Sequence, residues 1–304
     1  GRRTGLGVPG SRRETYPFNL SPIILGTGRI ATRYIRSYTT LSNSHGPDGP
    51  RMRRLAPILV MLTTVATMSA GAFSAWAGER VLVFAAASTR DAMEDAIRAF
   101  PQASVNGVYA ATPALARQIL DGAPASIFLS ASRAWADIIE DAGALLKRRD
   151  FLRNRLVLIA PAAEPPDRRI EQAADIPEAL AGGRLAMADT RSVPAGIYGR
   201  QALTALGAWS SVGRRVARAS NARTALLLVE RGETPLGIVY RTDALASPEV
   251  STVWSIPSTA HDPIVYPLAL VRTAESNPDA IAFLEFLAST KGRRIFERHG
   301  FETD

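Results

Sequence analysis

The chain has 304 residues, of which 46% are hydrophobic, enough for a sizeable core in one or two domains and too many for a disordered protein. The formal net charge is +8, but the excess lies in residues 1–77, which carry ten arginines and two carboxylates. Residues 78–304 hold 26 basic and 26 acidic side chains. This balance argues against a polyanion-binding surface, and we expect no nucleic-acid partner.

Residues 52–77 have the features of a secretory signal peptide. Arginines and an apolar stretch follow Met52, and Ala75-Trp76-Ala77 has the small-x-small pattern of a cleavage site. Because Met52 is the first methionine, we expect translation to start there and residues 1–51 to be untranslated or disordered. A membrane anchor is the alternative, which Thr, Ser and Gly in the apolar stretch disfavour. The chain has no cysteine for a disulfide or a lipid anchor, so we predict a soluble periplasmic protein.

From residue 80 onward, patterns typical of strands alternate with patterns typical of helices. Short apolar runs predict strands, and apolar residues spaced three and four apart predict helices. The predicted strands cover residues 80–86, 104–111, 126–131, 155–161, 183–189, 235–245 and 264–273. The predicted helices cover residues 89–100, 113–122, 133–145, 194–208, 222–233 and 278–300. This alternation predicts an α/β protein with mostly parallel sheets.

Small residues stand at the starts of four predicted helices, three of which follow a predicted strand. The four junctions are Ala85-Ala86-Ala87-Ser88, Ala110-Ala111-Thr112, Pro194-Ala195-Gly196 and Ser220-Asn221-Ala222. The first turn of a helix has N–H groups without intrahelical acceptors and a partial positive charge, which suit an anion. In an α/β fold such junctions lie at the carboxyl ends of strands, where ligands bind. Together they predict a site for a tetrahedral oxyanion, although a single junction could be a packing turn and its hydroxyl an N-cap.

Several stretches of the sequence resemble one family. VFAAAS, IFLSA, VPAGIYG, LVERGE and PLGIVY are similar to motifs of the periplasmic molybdate-binding proteins of molybdate ABC importers, and the similarity extends over residues 80–304. The resemblance implies the type II periplasmic binding protein fold, with two α/β lobes, two crossing strands and a ligand cleft between the lobes. By chain position, lobe one would comprise residues 78–157 and 268–304, and lobe two would comprise residues 158–267.

The resemblance also implies the ligand, its contacts and its partner. The ligand would be molybdate or tungstate, with no cofactor and no metal other than that of the oxyanion. The partner would be an inner-membrane ABC permease, and the receptor would be a monomer. The implied contacts are hydroxyls and backbone N–H groups of Ser88, Thr112, Ala195, Ala222 and Tyr240.

Some positions depart from the family pattern. Thr112 stands where serine is usual, Pro113 replaces a residue with a hydroxyl, and Ala222 stands where many members have valine. Arg153 and Arg155 replace small residues near residues 155–161, the first of the two crossing strands that the resemblance implies. At Ala222 only the backbone N–H would matter, whereas the two arginines would add charge near a hinge.

Two other functions fit parts of the sequence. A secreted serine hydrolase would use Ser88 as its nucleophile, but no G-x-S-x-G surrounds it, and neither histidine after residue 78 has an evident acidic partner. A binding protein for sulfate or an organic acid would share the fold. Arg90, Arg191 and Arg223 lie near three of the junctions and could bind a carboxylate, but the resemblance assigns none of them to the ligand, and we expect them to be solvated.

Overall fold

The computed structural model describes residues 80–303. The predictions for residues 1–51 and 52–77 lie outside these described residues. The strands are β1 Val81–Ala86, β2 Val105–Ala110, β3 Ile127–Leu129, β4 Leu145–Arg153, β5 Leu156–Pro161, β6 Leu185–Ala188, β7 Val216–Ala219, β8 Leu236–Tyr240, β9 Val250–Ser255, β10 Val265–Val271 and β11 Glu302–Thr303. The helices are α1 Arg90–Arg98, α2 Thr112–Leu120, α3 Arg133–Asp141, α4 Ile176–Ala179, α5 Pro194–Ala205, α6 Trp209–Val212, α7 Ala222–Glu230, α8 Arg241–Leu245, α9 Pro278–Ala288 and α10 Thr290–Arg298.

The strands form two mixed sheets. The first has the order β11-β4-β10-β3-β1-β2, and the second has the order β7-β6-β8-β5-β9. Strand β1 is parallel to β2 and β3, and β6 is parallel to β7 and β8. The other pairs are antiparallel, so the prediction of mostly parallel sheets is wrong. Parallel neighbours need a helical crossover between them, and the strands next to the changes of sheet have none, so they pair antiparallel.

The chain changes sheet twice. It leaves the first sheet after β4 and enters the second at β5, with Asn154 and Arg155 between them. It returns between β9 and β10 through residues 256–264. Both changes of sheet come a few residues before the expected lobe boundaries, which were placed after residues 157 and 267. Those boundaries stay predictions. No helix within residues 80–303 is long and apolar enough to cross a bilayer.

Burial explains why some elements have clear sequence patterns and others do not. Strand β10 is buried at all seven positions and β8 at all five, so both are continuous apolar runs. Strand β4 alternates between half-buried and exposed positions over residues 146–150 and carries four charged residues in a row. The predicted helix over residues 278–300 is two helices, because the hydroxyl of Ser289 accepts the N–H of Gly292 at 3.2 Å and begins α10.

Candidate anion-binding site

The residues predicted to bind a ligand lie where strands end. Ser88 is in the 3-10 turn between β1 and α1, Thr112 is the first residue of α2, and Ala195 is in the first turn of α5. Ala222 is the first residue of α7, and Tyr240 is the last residue of β8. All five are at most 5% exposed. The first two follow strands of the first sheet, and the other three follow or end strands of the second.

Direct contacts connect these positions across the two sheets. The Oγ of Ser88 lies 3.0 Å from the Oη of Tyr266 on β10. The rings of Tyr266 and Tyr240 meet edge to face with their centroids 5.9 Å apart. Helix α7, which begins at Ala222, contacts the turn that contains Ser88. The structure therefore brings Ser88, Ala222 and Tyr240 into one region.

The Thr112 side chain is fixed by a hydrogen bond that leaves its proton available. Its Oγ1 accepts the N–H of Ala131 at 3.1 Å. Because a hydroxyl can accept one hydrogen bond and donate another, Thr112 can still donate to a ligand. Strands β1 and β2 are parallel, with Ala86 opposite Ala110, so Thr112 lies at the same edge of the first sheet as Ser88.

The Tyr240 hydroxyl is the clearest sign of a ligand. Within residues 80–303 its oxygen is buried and makes no hydrogen bond of normal geometry, and its polar neighbour is the Tyr266 phenol, whose ring packs against the Tyr240 ring. Burial raises the pKa of this phenol well above its ordinary value, so the group is a neutral donor at any physiological pH. A buried hydroxyl without a partner destabilises a protein by about 1–3 kcal/mol. A polar ligand that accepts this proton would remove that cost.

The helix termini are also free to face a ligand. No side-chain cap hydrogen bond closes α1, α2 or α5, so the alternative that Ser88 and Thr112 are N-caps is wrong. Helix α7 differs, because Asn221 caps it by accepting the N–H of Thr224 at 3.0 Å. That cap does not use the N–H of Ala222, which has no acceptor within its own helix.

Gly196 lets α5 approach the end of β6 closely. A Cβ atom at this position would lie 2.3 Å from the carbonyl oxygen of Ala188 and 2.4 Å from that of Asp189. Only glycine fits such a contact without a shift of the backbone. The small residues of this junction therefore hold the first turn of α5, and with it Ala195, against the strand end.

The three arginines near the junctions are not equivalent. Arg90 and Arg191 are exposed, as expected from the sequence. The expectation that Arg223 is solvated is wrong, because its side chain is only 25% exposed and lies between two carboxylates. Its Nη2 is 2.6 Å from Asp91 Oδ2, and its Nε is 2.8 Å from Asp243 Oδ1. Arg223 is thus already neutralised by carboxylates.

Asp243 is a fully buried carboxylate beside the site. Its Oδ2 accepts the backbone N–H of Tyr240 at 3.3 Å. Burial raises the pKa of Asp243 to about 6, and the nearby charge of Arg223 opposes that rise. The ion pair with Arg223 therefore offsets only part of the cost of removing solvent from this carboxylate.

The comparisons with known proteins agree with this geometry. Residues 81–302 match the family described as bacterial extracellular solute-binding protein. The chain belongs to this family. It is 41% identical over 228 residues to the molybdate-binding protein ModA of Escherichia coli (strain K12). This alignment covers 73% of this chain and 88% of that protein. It is 37% identical over 249 residues to the molybdate-binding protein ModA of Haemophilus influenzae (strain ATCC 51907 / DSM 11121 / KW20 / Rd), with coverage of 80% and 98%.

A solved structure extends the comparison to the fold. The periplasmic molybdate-binding protein of Azotobacter vinelandii matches with a TM-score of 0.64 at 21% identity, over 73% of this chain and 98% of that one. The resemblance found in the sequence motifs is confirmed, and so is the type II periplasmic binding protein fold that it implied.

In this solute-binding protein, the side chains that the hydrolase alternative requires have other partners. The oxygen of Ser88 is bonded to Tyr266. His299, which had no evident acidic partner in the sequence, has its Nε2 2.8 Å from Asp95 Oδ2. The geometry therefore pairs Ser88 with a phenol and not with a base.

Sequence reasoning missed the side chains that support the site. Asn154, between β4 and β5, donates to Tyr266 Oη at 3.3 Å and to Thr242 Oγ1 at 2.9 Å. It thereby holds the phenol that contacts Ser88. At the same change of sheet Arg155 pairs with Glu302 at 2.7 Å, so one of the two unusual arginines has a partner on β11.

Proposed function

We propose that this chain is the receptor that captures molybdate or tungstate and delivers it to an ABC importer in the inner membrane. The observation that carries the proposal is the buried Tyr240 hydroxyl, which makes no hydrogen bond of normal geometry among the described residues and whose ring packs on Tyr266, the phenol that is bonded to Ser88. The 41% identity to a molybdate-binding protein supports the choice of anion.

Each contact residue has a defined chemical role in this proposal. Ser88, Thr112 and Tyr240 donate through their hydroxyls, and Ser88 also donates its backbone N–H. Ala195 and Ala222 donate only backbone N–H groups. The positive ends of α2, α5 and α7 balance the charge of the anion without a bound cation. Such a site needs no cofactor, and the only metal is that of the oxyanion.

The proposed transport cycle is capture followed by delivery. The open lobes bind the oxyanion, the hinge closes over it, and the closed receptor docks on the permease, where ATP hydrolysis by partner subunits drives release. In this structure the sheets already contact each other beside the site, since Trp135 Nε1 donates to the carbonyl oxygen of Ser192 at 3.1 Å. We propose that the receptor is a soluble periplasmic monomer, formed by cleavage after Ala77.

Selectivity would come from the size of the site. Its donors stand on buried elements, so they cannot move inward to follow a smaller anion. Molybdate and tungstate are larger than sulfate and phosphate and can span donors that a smaller tetrahedron reaches only in part. A donor that is left unpaired in a buried site weakens binding strongly.

Calorimetric titration of the protein purified from the periplasm tests this function. We expect saturable binding of molybdate and tungstate, at least roughly tenfold tighter than binding of sulfate or phosphate. Affinity should change little with salt, because hydrogen bonds in a closed site are poorly screened. Sulfate binding as tight as molybdate binding would contradict the choice of anion, and N-terminal sequencing of the same sample tests the start at Gly78.

A further inference from the structure

Three charged side chains form a chain of ion pairs beside the proposed site. Arg223 Nη2 is 2.6 Å from Asp91 Oδ2, and Arg223 Nε is 2.8 Å from Asp243 Oδ1. Asp91 is in the first turn of α1, which packs on the first sheet. Arg223 and Asp243 are on α7 and α8, which pack on the second sheet. The pair of Arg223 with Asp91 therefore connects the two sheets.

Each member of the chain is close in sequence to a proposed ligand contact. Arg223 follows Ala222 directly, and Asp91 is three residues after Ser88. Asp243 accepts the backbone N–H of Tyr240 at 3.3 Å. The ion pairs thus connect the backbone segments that carry Ser88, Ala222 and Tyr240.

The two ion pairs differ in how firmly they are held. Asp243 is fully buried, whereas the side chain of Asp91 is 44% exposed. The inner pair lies wholly on the side of the second sheet, so it can persist when the sheets separate. The outer pair cannot persist, because its carboxylate belongs to the other sheet. Asp243 holds the guanidinium in place, which lowers the entropy lost when Asp91 joins it.

We propose that Arg223 is a latch residue, held by Asp243 and closed onto Asp91 when the lobes close over the ligand. The proposal rests on the proposed function. It assigns Arg223 a positioning role with no contact to the anion. Because the outer pair forms only on closure, it slows release of the anion and has little effect on the encounter that precedes closure.

Stopped-flow measurement of molybdate association and release tests the latch, with tryptophan fluorescence as the signal. Trp135 is a suitable reporter because its indole hydrogen bond crosses between the sheets. The variants are Asp91→Asn, Arg223→Met and the double variant, with Arg223→Lys as the conservative change. Arg231→Met is the matched control, since Arg231 follows the other end of α7 and its partner Glu233 is on the same side of the cleft.

We expect Asp91→Asn and Arg223→Met each to release molybdate roughly three- to tenfold faster, with association nearly unchanged. The double variant should release it no faster than Arg223→Met alone. Arg223→Lys should restore part of the slow release, and Arg231→Met should behave like the unaltered protein. In ligand-free melting the effects of the two single changes should add, because the pair is broken in the open form.

Two results would overturn the latch while the function stands. The first is unchanged release rates in Asp91→Asn and Arg223→Met. The second is that the two substitutions fail to add in their effects on ligand-free melting as they do in their effects on release, which would identify the pair as an ordinary packing contact. If the unaltered protein bound no molybdate, the proposed function would fail, and the latch with it.

Discussion

Tyr240→Phe is expected to weaken molybdate binding by about 1.5–3 kcal/mol, or roughly ten- to a hundredfold. The substitution removes one oxygen, which is buried and makes no hydrogen bond of normal geometry among the described residues. Because this oxygen contributes no such hydrogen bond to the fold, the melting temperature of the ligand-free protein should stay the same or rise. Weaker binding without a loss of stability cannot result from a loss of folding.

Tyr109→Phe is the matched control for this substitution. The Tyr109 oxygen is also buried and makes no hydrogen bond of normal geometry within residues 80–303, and burial together with the nearby Glu94 carboxylate raises the pKa of this phenol. Its side chain turns back over Gly107 and away from the end of β2 where Thr112 lies. Tyr109→Phe should leave molybdate affinity unchanged in calorimetric titration. Equal affinities for the unaltered protein and Tyr240→Phe would place the Tyr240 hydroxyl outside the site.

Ala222→Pro is expected to weaken molybdate binding by a similar factor without unfolding α7. Proline is well tolerated at the first position of a helix, and it removes the N–H assigned to the ligand. Asn221 already has an extended backbone, with φ −159° and ψ 178°, as a residue before proline requires. Its cap on Thr224 uses a different N–H. Ligand-free melting should therefore show an intact transition while titration shows about 1.5–3 kcal/mol of lost affinity.

Ala222→Val is the paired control, since valine keeps the backbone N–H and is common at this position in the resembled family. We expect it to bind molybdate nearly as well as the unaltered protein. If valine abolished binding in a folded protein, or if proline left binding unchanged, the backbone at Ala222 would not contact the anion.

The fold was predictable where burial makes a local pattern. Strands β8 and β10 are covered on both faces, so their apolar runs are unmistakable. Strand β4 was missed because residues 147–150 are all charged, and its exposed and half-buried positions can carry them. The break between α9 and α10 was missed because Ser289 caps a helix inside a continuous helical pattern. Antiparallel pairing depends on where the chain changes sheet, which no local pattern encodes.

The site was predictable only in its local parts. Small residues at strand-to-helix junctions are visible in the sequence, and the family resemblance supplied Tyr240. The contact of Ser88 with Tyr266 joins residues 178 positions apart, and that of Asp91 with Arg223 joins residues 132 apart. Nothing in the surroundings of Arg223 in the sequence distinguishes a solvated arginine from one enclosed by two carboxylates. Only the folded structure makes that distinction.

Anomalous diffraction at the molybdenum edge, from crystals of the molybdate complex, would locate the bound anion. We predict one strong peak between the two lobes, with the oxygens of the anion in hydrogen-bond contact with the hydroxyls of Ser88, Thr112 and Tyr240. The N–H groups of Ala195 and Ala222 should point at the same anion. A peak elsewhere, such as the basic surface pocket lined by Lys291, Arg294 and Arg298, would show that the five predicted residues do not bind the anion.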